Sequence, residues 1–248
     1  MKIAVEGRLG ALTAQQERLL LDRSTDPDSE LARRVRATIR RVRAAGDAAL
    51  RRMVRRYDGV QMGRLEVPRE RWEVALAGLD SAVKRALERA AQNIAAFHRS
   101  QLPRPFEVAV EPGVVLGRRF EPLGSVGAYV PGGRAAYPSS LLMCAVSARV
   151  AGVKQVVVCS PPLASGEPAA SVLAACVIAR VDRVFAVGGA GAIAALAYGT
   201  ESIPRVDAIV GPGNRYVNEA KRQVAADVAV DCPAGPSEVL IVADESAS

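Results

Sequence analysis

From residue 138 onward, short valine-rich runs alternate with segments of helical character, and this alternation restricts the fold most. The runs are continuously apolar, as in KQVVVCS at 154–160 and DRVFAV at 182–187. Strands of this kind are typical of a sheet buried on both faces, and alternation with helices favours parallel pairing through right-handed crossovers. The sequence therefore predicts an α/β fold whose parallel sheet carries helices on both faces. By the same pattern, further strands are predicted at 206–211, 227–232 and 238–244, and helices at 140–152, 168–180, 191–199 and 214–225.

The first hundred residues have the texture of amphipathic helices. Apolar residues recur there at helical spacing, and polar residues lie between them. Asp47 and Asp80 stand where a helix would begin, and aspartate is a common N-cap. Helices are accordingly predicted at about 13–22, 28–45, 47–57, 69–77 and 81–100.

The stretch from 106 to 133 alternates in polarity and is interrupted by glycine and proline. This pattern predicts two or three strands joined by tight turns. We expect residues 1–128 to form a helical N-terminal segment with short strands, the first part of a domain. A Rossmann-like domain is expected at 129–238, and residues 239–248 are expected to begin the return into the first domain.

The net charge of +7 comes mainly from arginine, since all but four of the 33 basic residues are arginine. The densest arginine run, 31–59, could form a surface for nucleic acid. However, apolar residues recur between the arginines, and no aromatic base-stacking motif accompanies them. We interpret the run as the solvent-exposed face of amphipathic helices and expect no nucleic-acid partner. No apolar run has the length of a membrane span, and the first residues lack the pattern of a secretory signal, so we expect a cytoplasmic protein without a membrane partner.

The chain is poor in residues that bind metals or carry out nucleophilic catalysis. It contains a single histidine, His98, and four cysteines that are far apart in sequence. Neither an HxxH or HExxH spacing nor a Ser-His-Asp or Cys-His set can be built from them. We expect His98 to have a packing or capping role and the cysteines to be reduced, buried thiols. Cys232, near Ser237, is the one cysteine outside a long apolar run, and burial is again the favoured interpretation.

Three glycine-rich turns follow predicted strands, at 129–140, 186–195 and 209–217. Glycine permits positive φ angles and close approach to the backbone, and a helix that begins after it offers free N–H groups to an anion. In a parallel α/β sheet, ligands bind beyond the carboxyl ends of the strands. The three turns together favour a phosphate-bearing or dinucleotide ligand over packing alone.

The middle turn also fits the dinucleotide fingerprint G-x-G-x-x-A, from Gly189 to Ala194. Asp207 lies at about the distance along the chain that a ribose-binding carboxylate would have. Two alternatives remain open at this stage: the small residues could serve helix–sheet packing, and Asp207 could simply open the next strand.

Three long stretches resemble the histidinol dehydrogenase family: FEPLGSVGAYVPGGRAAYPSSLLMCAVSARVAGVKQVVVCSPP, VFAVGGAGAIAALAYGTESIPRVDAIVGPGNRYVNEAKRQV and DCPAGPSEVLIVAD. The resemblance is specific from about 120 to 243 and looser towards the N-terminus. It implies NAD-dependent oxidation of L-histidinol to L-histidine in two steps through an aldehyde, with zinc holding the substrate. It also implies a role in histidine biosynthesis and a homodimer.

The resemblance places family positions on three residues of this chain. NAD contacts fall on Tyr129 in GAYVPGG and on Asn214 in GPGN, and a substrate contact falls on Ser237 in GPSEV. A third NAD position, usually glutamine, is Gly191 here, so that role is not assigned. Asn214 is also a good helix N-cap residue.

The family's zinc ligands and its acid–base pair lie beyond the stretch that ends at VADESAS. We therefore expect this chain to be the N-terminal part of a longer enzyme, with no catalytic or metal residues of its own and no activity alone. The alternative is a nucleotide-binding or dimerisation module without enzymatic activity.

Overall fold

The computed structural model describes residues 7–21, 29–132, 135–231 and 243–245. The helices are α1 (Ala14–Leu21), α2 (Ser29–Tyr57), α3 (Arg69–Ala77), α4 (Ser81–Ser100), α5 (Pro138–Val150), α6 (Ala170–Ile178), α7 (Gly189–Tyr198) and α8 (Arg215–Val224). The strands are β1 (Phe106–Glu111), β2 (Val114–Arg118), β3 (Ser125–Tyr129), β4 (Gln155–Ser160), β5 (Arg183–Ala186), β6 (Ala208–Val210) and β7 (Ala229–Val230). The strand predicted at 238–244 lies almost wholly outside the described residues.

The central sheet has five strands within the described residues, in the order β5-β4-β3-β6-β7, and every neighbouring pair is parallel. The strand that comes first in sequence, β3, lies in the middle. The chain then builds outwards on one side through β4 and β5, and on the other side through β6 and β7. The order reverses between β3 and β6, which makes that boundary the topological switch point of the sheet.

Both faces of this sheet are buried, as the continuous apolar runs predict. In β4, Val156 and Val158 belong to one hydrophobic core, whereas Val157 and Cys159 belong to the other. Helices α3 and α4 pack on α5 and α6 over the first face, and α2 packs on α7 and α8 over the second. The predicted α/β fold, with a helical N-terminal segment, is confirmed. The proposed domain boundaries remain a prediction.

The two predicted N-caps have different outcomes. Asp80 begins α4, and its carboxylate accepts hydrogen bonds from the backbone N–H groups of Ala82 and Val83. In α2, the backbone leaves helical geometry at Ala45 and Gly46, which separates the two predicted helices, 28–45 and 47–57. Asp47 follows this kink, but its Oδ1 accepts from the Thr200 hydroxyl, at 2.7 Å. Its own N–H donates instead to the Glu201 carboxylate, which performs the capping role there.

The β1–β2 hairpin is a separate, two-stranded antiparallel unit. It turns at Pro112 and Gly113, where Gly113 has a positive φ of 83°. Every residue of both strands is exposed to solvent. The two or three strands predicted for 106–133 are therefore this hairpin and β3, which is buried.

Candidate functional site

The turns after β3, β4 and β5 touch one another at the carboxyl edge of the sheet. Pro161, which follows β4, lies between Gly132 and Gly188. A Cβ atom on Gly132 would come within 2.9 Å of the Pro161 ring, and one on Gly188 within 2.6 Å of its Cβ. Glycine is thus required at both positions by close approach. Two of the three predicted glycine turns therefore meet through a proline that sequence reasoning did not single out.

The third turn, from Gly211 to Asn214, follows β6 across the switch point. Gly211 has φ of +111°, and a Cβ there would lie only 2.1 Å from the backbone oxygen of Tyr129. The turn is therefore wedged against the end of β3, which brings Tyr129 and the turn together as the sequence predicts. Asn214 ends the turn and caps α8, since its Oδ1 accepts from the N–H groups of Tyr216 and Val217.

Tyr129 is almost fully buried, at 3% exposure, and its hydroxyl oxygen accepts a hydrogen bond from the Gly189 N–H at 3.1 Å. That N–H belongs to the first turn of α7, where backbone donors have no partner within the helix. Burial raises the pKa of Tyr129, and the hydrogen bond from Gly189 opposes this shift. The phenol is therefore neutral at physiological pH and ties the end of β3 to the start of α7.

A cavity of about 780 Å³ lies at this edge of the sheet. Its sheet side is formed by the segments that follow β3, β4, β5 and β6, together with the first residues of α7 and α8. Its opposite side is formed by α2. Three α2 arginines contribute to the wall: Arg34, Arg41 and Arg56. The sequence favoured a solvent-exposed helix face for these arginines over a nucleic-acid surface, and gave no sign that they line a cavity. Amphipathic spacing cannot show that residues on both sides of a helix kink line one cavity.

Asp58 is the acidic residue among the described lining residues of this cavity. Its carboxyl group is half-buried, and this burial raises its pKa. It lies close enough to Tyr129 for its charge to contribute to raising the pKa of the phenol. The cavity wall therefore combines three guanidinium groups with one partly desolvated carboxyl group.

Asp207 does not reach this cavity. It precedes β6, at the opposite edge of the sheet, where its Oδ2 accepts from the N–H and the hydroxyl of Ser125 at 2.7 and 3.0 Å. The ribose-contact interpretation of Asp207 is wrong, because parallel strands place their first residues far from the carboxyl edge. Asp207 instead pins the start of β6 to the start of β3.

Gly191 lies in the first turn of α7 and lines the cavity, but it faces α2. A Cβ there would lie 3.1 Å from the sulfur of Met53 and 3.3 Å from a Leu50 methyl group. Its φ angle is not positive, so backbone freedom is not the reason for glycine. Within the G-x-G-x-x-A pattern, Gly191 thus packs closely against α2, which is helix–helix packing and not the helix–sheet packing that the sequence left open, whereas a Cβ on Gly189 would meet nothing within 4 Å.

The described residues show no cluster of three or more His, Cys, Asp or Glu side chains that could hold a metal ion. His98 lies in the last turn of α4, where its ring contacts Phe97 edge-to-face. Burial raises the pKa of the Cys144 thiol to about 11 and those of Cys159 and Cys176 further, so all three are protonated, unreactive thiols. Ser237 and Cys232 lie outside the described residues.

Strand order, switch point and cavity define a Rossmann-like α/β protein of the class that binds ligands at the carboxyl ends of its strands. The family is given by comparison with known proteins. Residues 21–248 match the model of the histidinol dehydrogenase family, and the chain belongs to that family.

Individual relatives agree with this assignment. The chain is 53% identical to histidinol dehydrogenase of Methanosarcina mazei over 86% of this chain and 49% of that protein. It is 51% identical to the Methanothermobacter thermautotrophicus protein over 84% of this chain and 49% of that one. The crystal structure of histidinol dehydrogenase from Elizabethkingia anophelis superposes with a TM-score of 0.84 at 32% identity, covering 96% of this chain and 55% of that one. The chain thus spans about half the length of the curated relatives it matches.

Among the described helices, none is long and apolar enough to cross a membrane.

Proposed function

We propose that this chain supplies the NAD-binding part of a histidinol dehydrogenase, a cytoplasmic homodimer that oxidises L-histidinol to L-histidine in histidine biosynthesis. The observation that carries the proposal is the cavity at the switch point, because Tyr129 and Asn214 both line it. These two residues are the ones on which the family resemblance places NAD contacts. The cavity also fits a dinucleotide in kind, since glycines allow close approach and two helices begin at its edge.

Each group of lining residues has a distinct task in this proposal. The first turns of α7 and α8, with the guanidinium groups of Arg34, Arg41 and Arg56, attract the negatively charged phosphates. Asp58 can accept hydrogen bonds from ribose hydroxyls. The side-chain N–H₂ of Asn214 can donate to the cofactor while its Oδ1 caps α8. NAD, when bound, accepts hydride from the substrate.

Zinc does not fit the described residues, because they bring no set of ligands together. From the resemblance to the family, we propose that the metal, the acid–base pair and most of the substrate contacts belong to parts of the enzyme outside these 248 residues, with Ser237 contributing one contact. On this proposal the 248-residue chain binds NAD but has no dehydrogenase activity and no stoichiometric zinc. Turnover of histidinol by this chain above background, or one zinc per chain by elemental analysis, would contradict it.

The cofactor role of Asn214 can be separated from its capping role with a matched control. Asp80 caps α4 in the same way, through the second and third N–H groups of its helix, but does not line the cavity. Alanine at either position should lower stability by about 1 kcal/mol. Only Asn214→Ala should also weaken NAD, by about fivefold, as expected for a lost polar contact.

NAD affinity is measured by titration calorimetry, and stability by denaturant unfolding followed through the single tryptophan, Trp72, which is buried. If Asn214→Ala and Asp80→Ala had the same NAD affinity, Asn214 would have a capping role and no cofactor role. A wild-type chain that binds DNA in a salt-dependent manner and shows no NAD effect would favour the nucleic-acid interpretation of the arginines instead. If the protein is instead a binding module without enzymatic activity, the full-length protein should bind NAD but should not turn over histidinol.

A further inference from the structure

Lys221 is a buried lysine that the proposed cofactor contacts do not use. It lies in α8 with 2% of its surface exposed. Its Nζ donates to the backbone oxygen of Gly211 and to Oδ1 of Asp231, both at 2.5 Å. The other carboxylate oxygen of Asp231, Oδ2, accepts from the Gly211 N–H at 2.8 Å. The three residues therefore form a closed ring of hydrogen bonds in which both backbone polar groups of Gly211 are held.

This ring lies where the 211–214 turn meets two cavities. Gly211, Lys221 and Asp231 line an open groove of about 570 Å³ between α5 and α8, next to Cys144. Asn214, at the other end of the same turn, lines the 780 Å³ cavity proposed to bind NAD. Any movement of Gly211 would therefore change the position of the Asn214 amide and of the first turn of α8.

Stability alone does not explain an ion pair at this place. Removing the Lys221 charge from water is costly, although the Asp231 side chain keeps 35% of its surface exposed, and replacing a buried ion pair with apolar residues of similar size is often neutral or stabilising. An apolar pair, however, could not bond the N–H and the C=O of Gly211 together. What the charged pair adds is a fixed backbone position for the turn.

We propose that Lys221 and Asp231 form a clamp that fixes the 211–214 turn, and that both are positioning residues for the Asn214 amide in cofactor binding. This inference rests on the proposed function, because the effect is expressed through NAD. The clamp acts through Gly211, which cannot move towards β3 because it already packs against the backbone of Tyr129.

The experiment compares variants in the 248-residue chain, with NAD as the titrant. Lys221→Met should weaken NAD about tenfold, in line with the sensitivity of binding sites to small misplacements. The matched control is Arg222→Met, one residue further along α8, which removes a pair with Glu219 that does not involve the turn. This control should leave NAD affinity unchanged. Asp231→Asn, which keeps a side-chain oxygen as an acceptor, should weaken NAD less than Asp231→Ala does.

A double variant, Lys221→Met with Asp231→Leu, distinguishes positioning from simple support of the fold. It removes both charges, so it should recover most of the stability lost in Lys221→Met. Its NAD affinity should remain about tenfold weaker than that of the wild-type chain. Recovery of both properties together would overturn the positioning role, as would equal NAD affinity in Lys221→Met and the wild type.

Amide hydrogen exchange provides a measurement that does not require NAD. The Gly211 N–H, and the Tyr216 and Val217 N–H groups capped by Asn214, should exchange faster in both the single and the double variant than in Arg222→Met. Unchanged exchange would show that no clamp holds the turn. A wild-type chain that binds no NAD, but whose turn loses protection in the variants, would refute the proposed cofactor role of the site and leave the clamp as a purely structural device.

Discussion

The central sheet and the β1–β2 hairpin are built from similar residues and differ in everything that surrounds them. Alternate residues of β4 enter two separate hydrophobic cores, so the strand is buried on both faces. In β1, Phe106, Val108 and Val110 alternate with polar residues or alanine, a pattern that would leave one face apolar, yet all three are about half exposed. No element among the described residues shields that face.

The contrast shows that residue type and periodicity specify a strand, whereas the contribution of the strand to the free energy of unfolding depends on what packs over it. Apolar burial contributes roughly 25 cal/mol per Å² of surface removed from water. By that measure the sheet strands are strongly stabilised, while the hairpin strands gain little beyond their mutual hydrogen bonds. The same substitution should therefore have very different effects in the two regions.

The largest expected difference is between two phenylalanines. Phe185 in β5 is fully buried, whereas Phe106 in β1 is 57% exposed. Phe185→Ala should lower the free energy of unfolding by about 3–5 kcal/mol, because it removes buried contacts and leaves a cavity. Phe106→Ala should change it by less than about 0.5 kcal/mol. Denaturant unfolding monitored by Trp72 fluorescence measures both, and a comparable loss in the two variants would refute the contrast.

The next comparison uses two glycines that both have positive φ. Gly113 turns the hairpin, and a Cβ there would meet nothing within 4 Å. Gly211 ends β6, and a Cβ there would collide with the backbone of Tyr129. Gly113→Ala should cost about 1–2 kcal/mol, from backbone strain alone. Gly211→Ala adds a steric clash and should cost about 3 kcal/mol.

Those two variants also sharpen the comparison at the level of function. On the proposed cofactor role of the cavity, Gly211→Ala should weaken NAD binding because the 211–214 turn must move, while Gly113→Ala should leave the NAD dissociation constant unchanged. Titration calorimetry at a temperature where both variants are folded provides the measurement. If Gly211→Ala proved as mild as Gly113→Ala, the close packing of β6 against β3 would not exist in solution.

Much of the fold could be predicted from local sequence signals. Valine-rich runs indicated the parallel strands, and helical periodicity gave the bounds of α3 and α4 to the residue, because both helices end at clear capping or turn residues. Strand order could not be predicted in this way, since it depends on which crossovers go to which side. The absence of cover over the hairpin was also unpredictable, because a pattern of alternating polarity does not show what lies opposite.

The glycine turns indicated the edge of the sheet where the cavity lies, and the cofactor roles of Tyr129 and Asn214 came from the family resemblance and remain predictions. The contribution of α2 to the cavity wall was not predicted, because arginines at amphipathic spacing look alike whether they face solvent or a cavity. It also left Asp207 as a possible ribose contact, since spacing along the chain does not distinguish the two edges of a sheet. Lys221 in α8 pairs with Asp231, which lies ten residues further on and directly after β7. No sequence motif predicts this pair.

The outer edge of β5 offers a further contrast with the open edges of the hairpin. The segment around Glu66 runs antiparallel to β5, with hydrogen bonds from Val67 N–H to the Val184 oxygen and from Ala186 N–H to the Leu65 oxygen, both at 2.8 Å. Covering an edge strand in this way satisfies backbone groups that would otherwise be free to pair with another chain. The Glu66 carboxylate reinforces this cover through two 2.9 Å bonds to the Arg183 guanidinium.

The smallest expected effect concerns the pH dependence of this edge contact. Hydrogen bonding to Arg183 lowers the pKa of Glu66 below its ordinary value of 4.5. A carboxyl group whose pKa is lower in the folded state contributes stability above its unfolded pKa, and this contribution is lost as the pH falls through its folded pKa. Glu66→Gln should therefore lower the free energy of unfolding by roughly 1 kcal/mol or less at neutral pH, since the pair is partly solvent-screened, and the difference from the wild type should shrink below about pH 4.5.

Glu121→Gln, which removes an exposed pair with Arg119 just after the hairpin, is the matched control and should give no measurable change at any pH. Urea unfolding of the three proteins between about pH 3 and 7 measures these differences, and a Glu66→Gln effect that persisted unchanged to the lowest pH would mean that the charge of Glu66 does not hold the edge of β5.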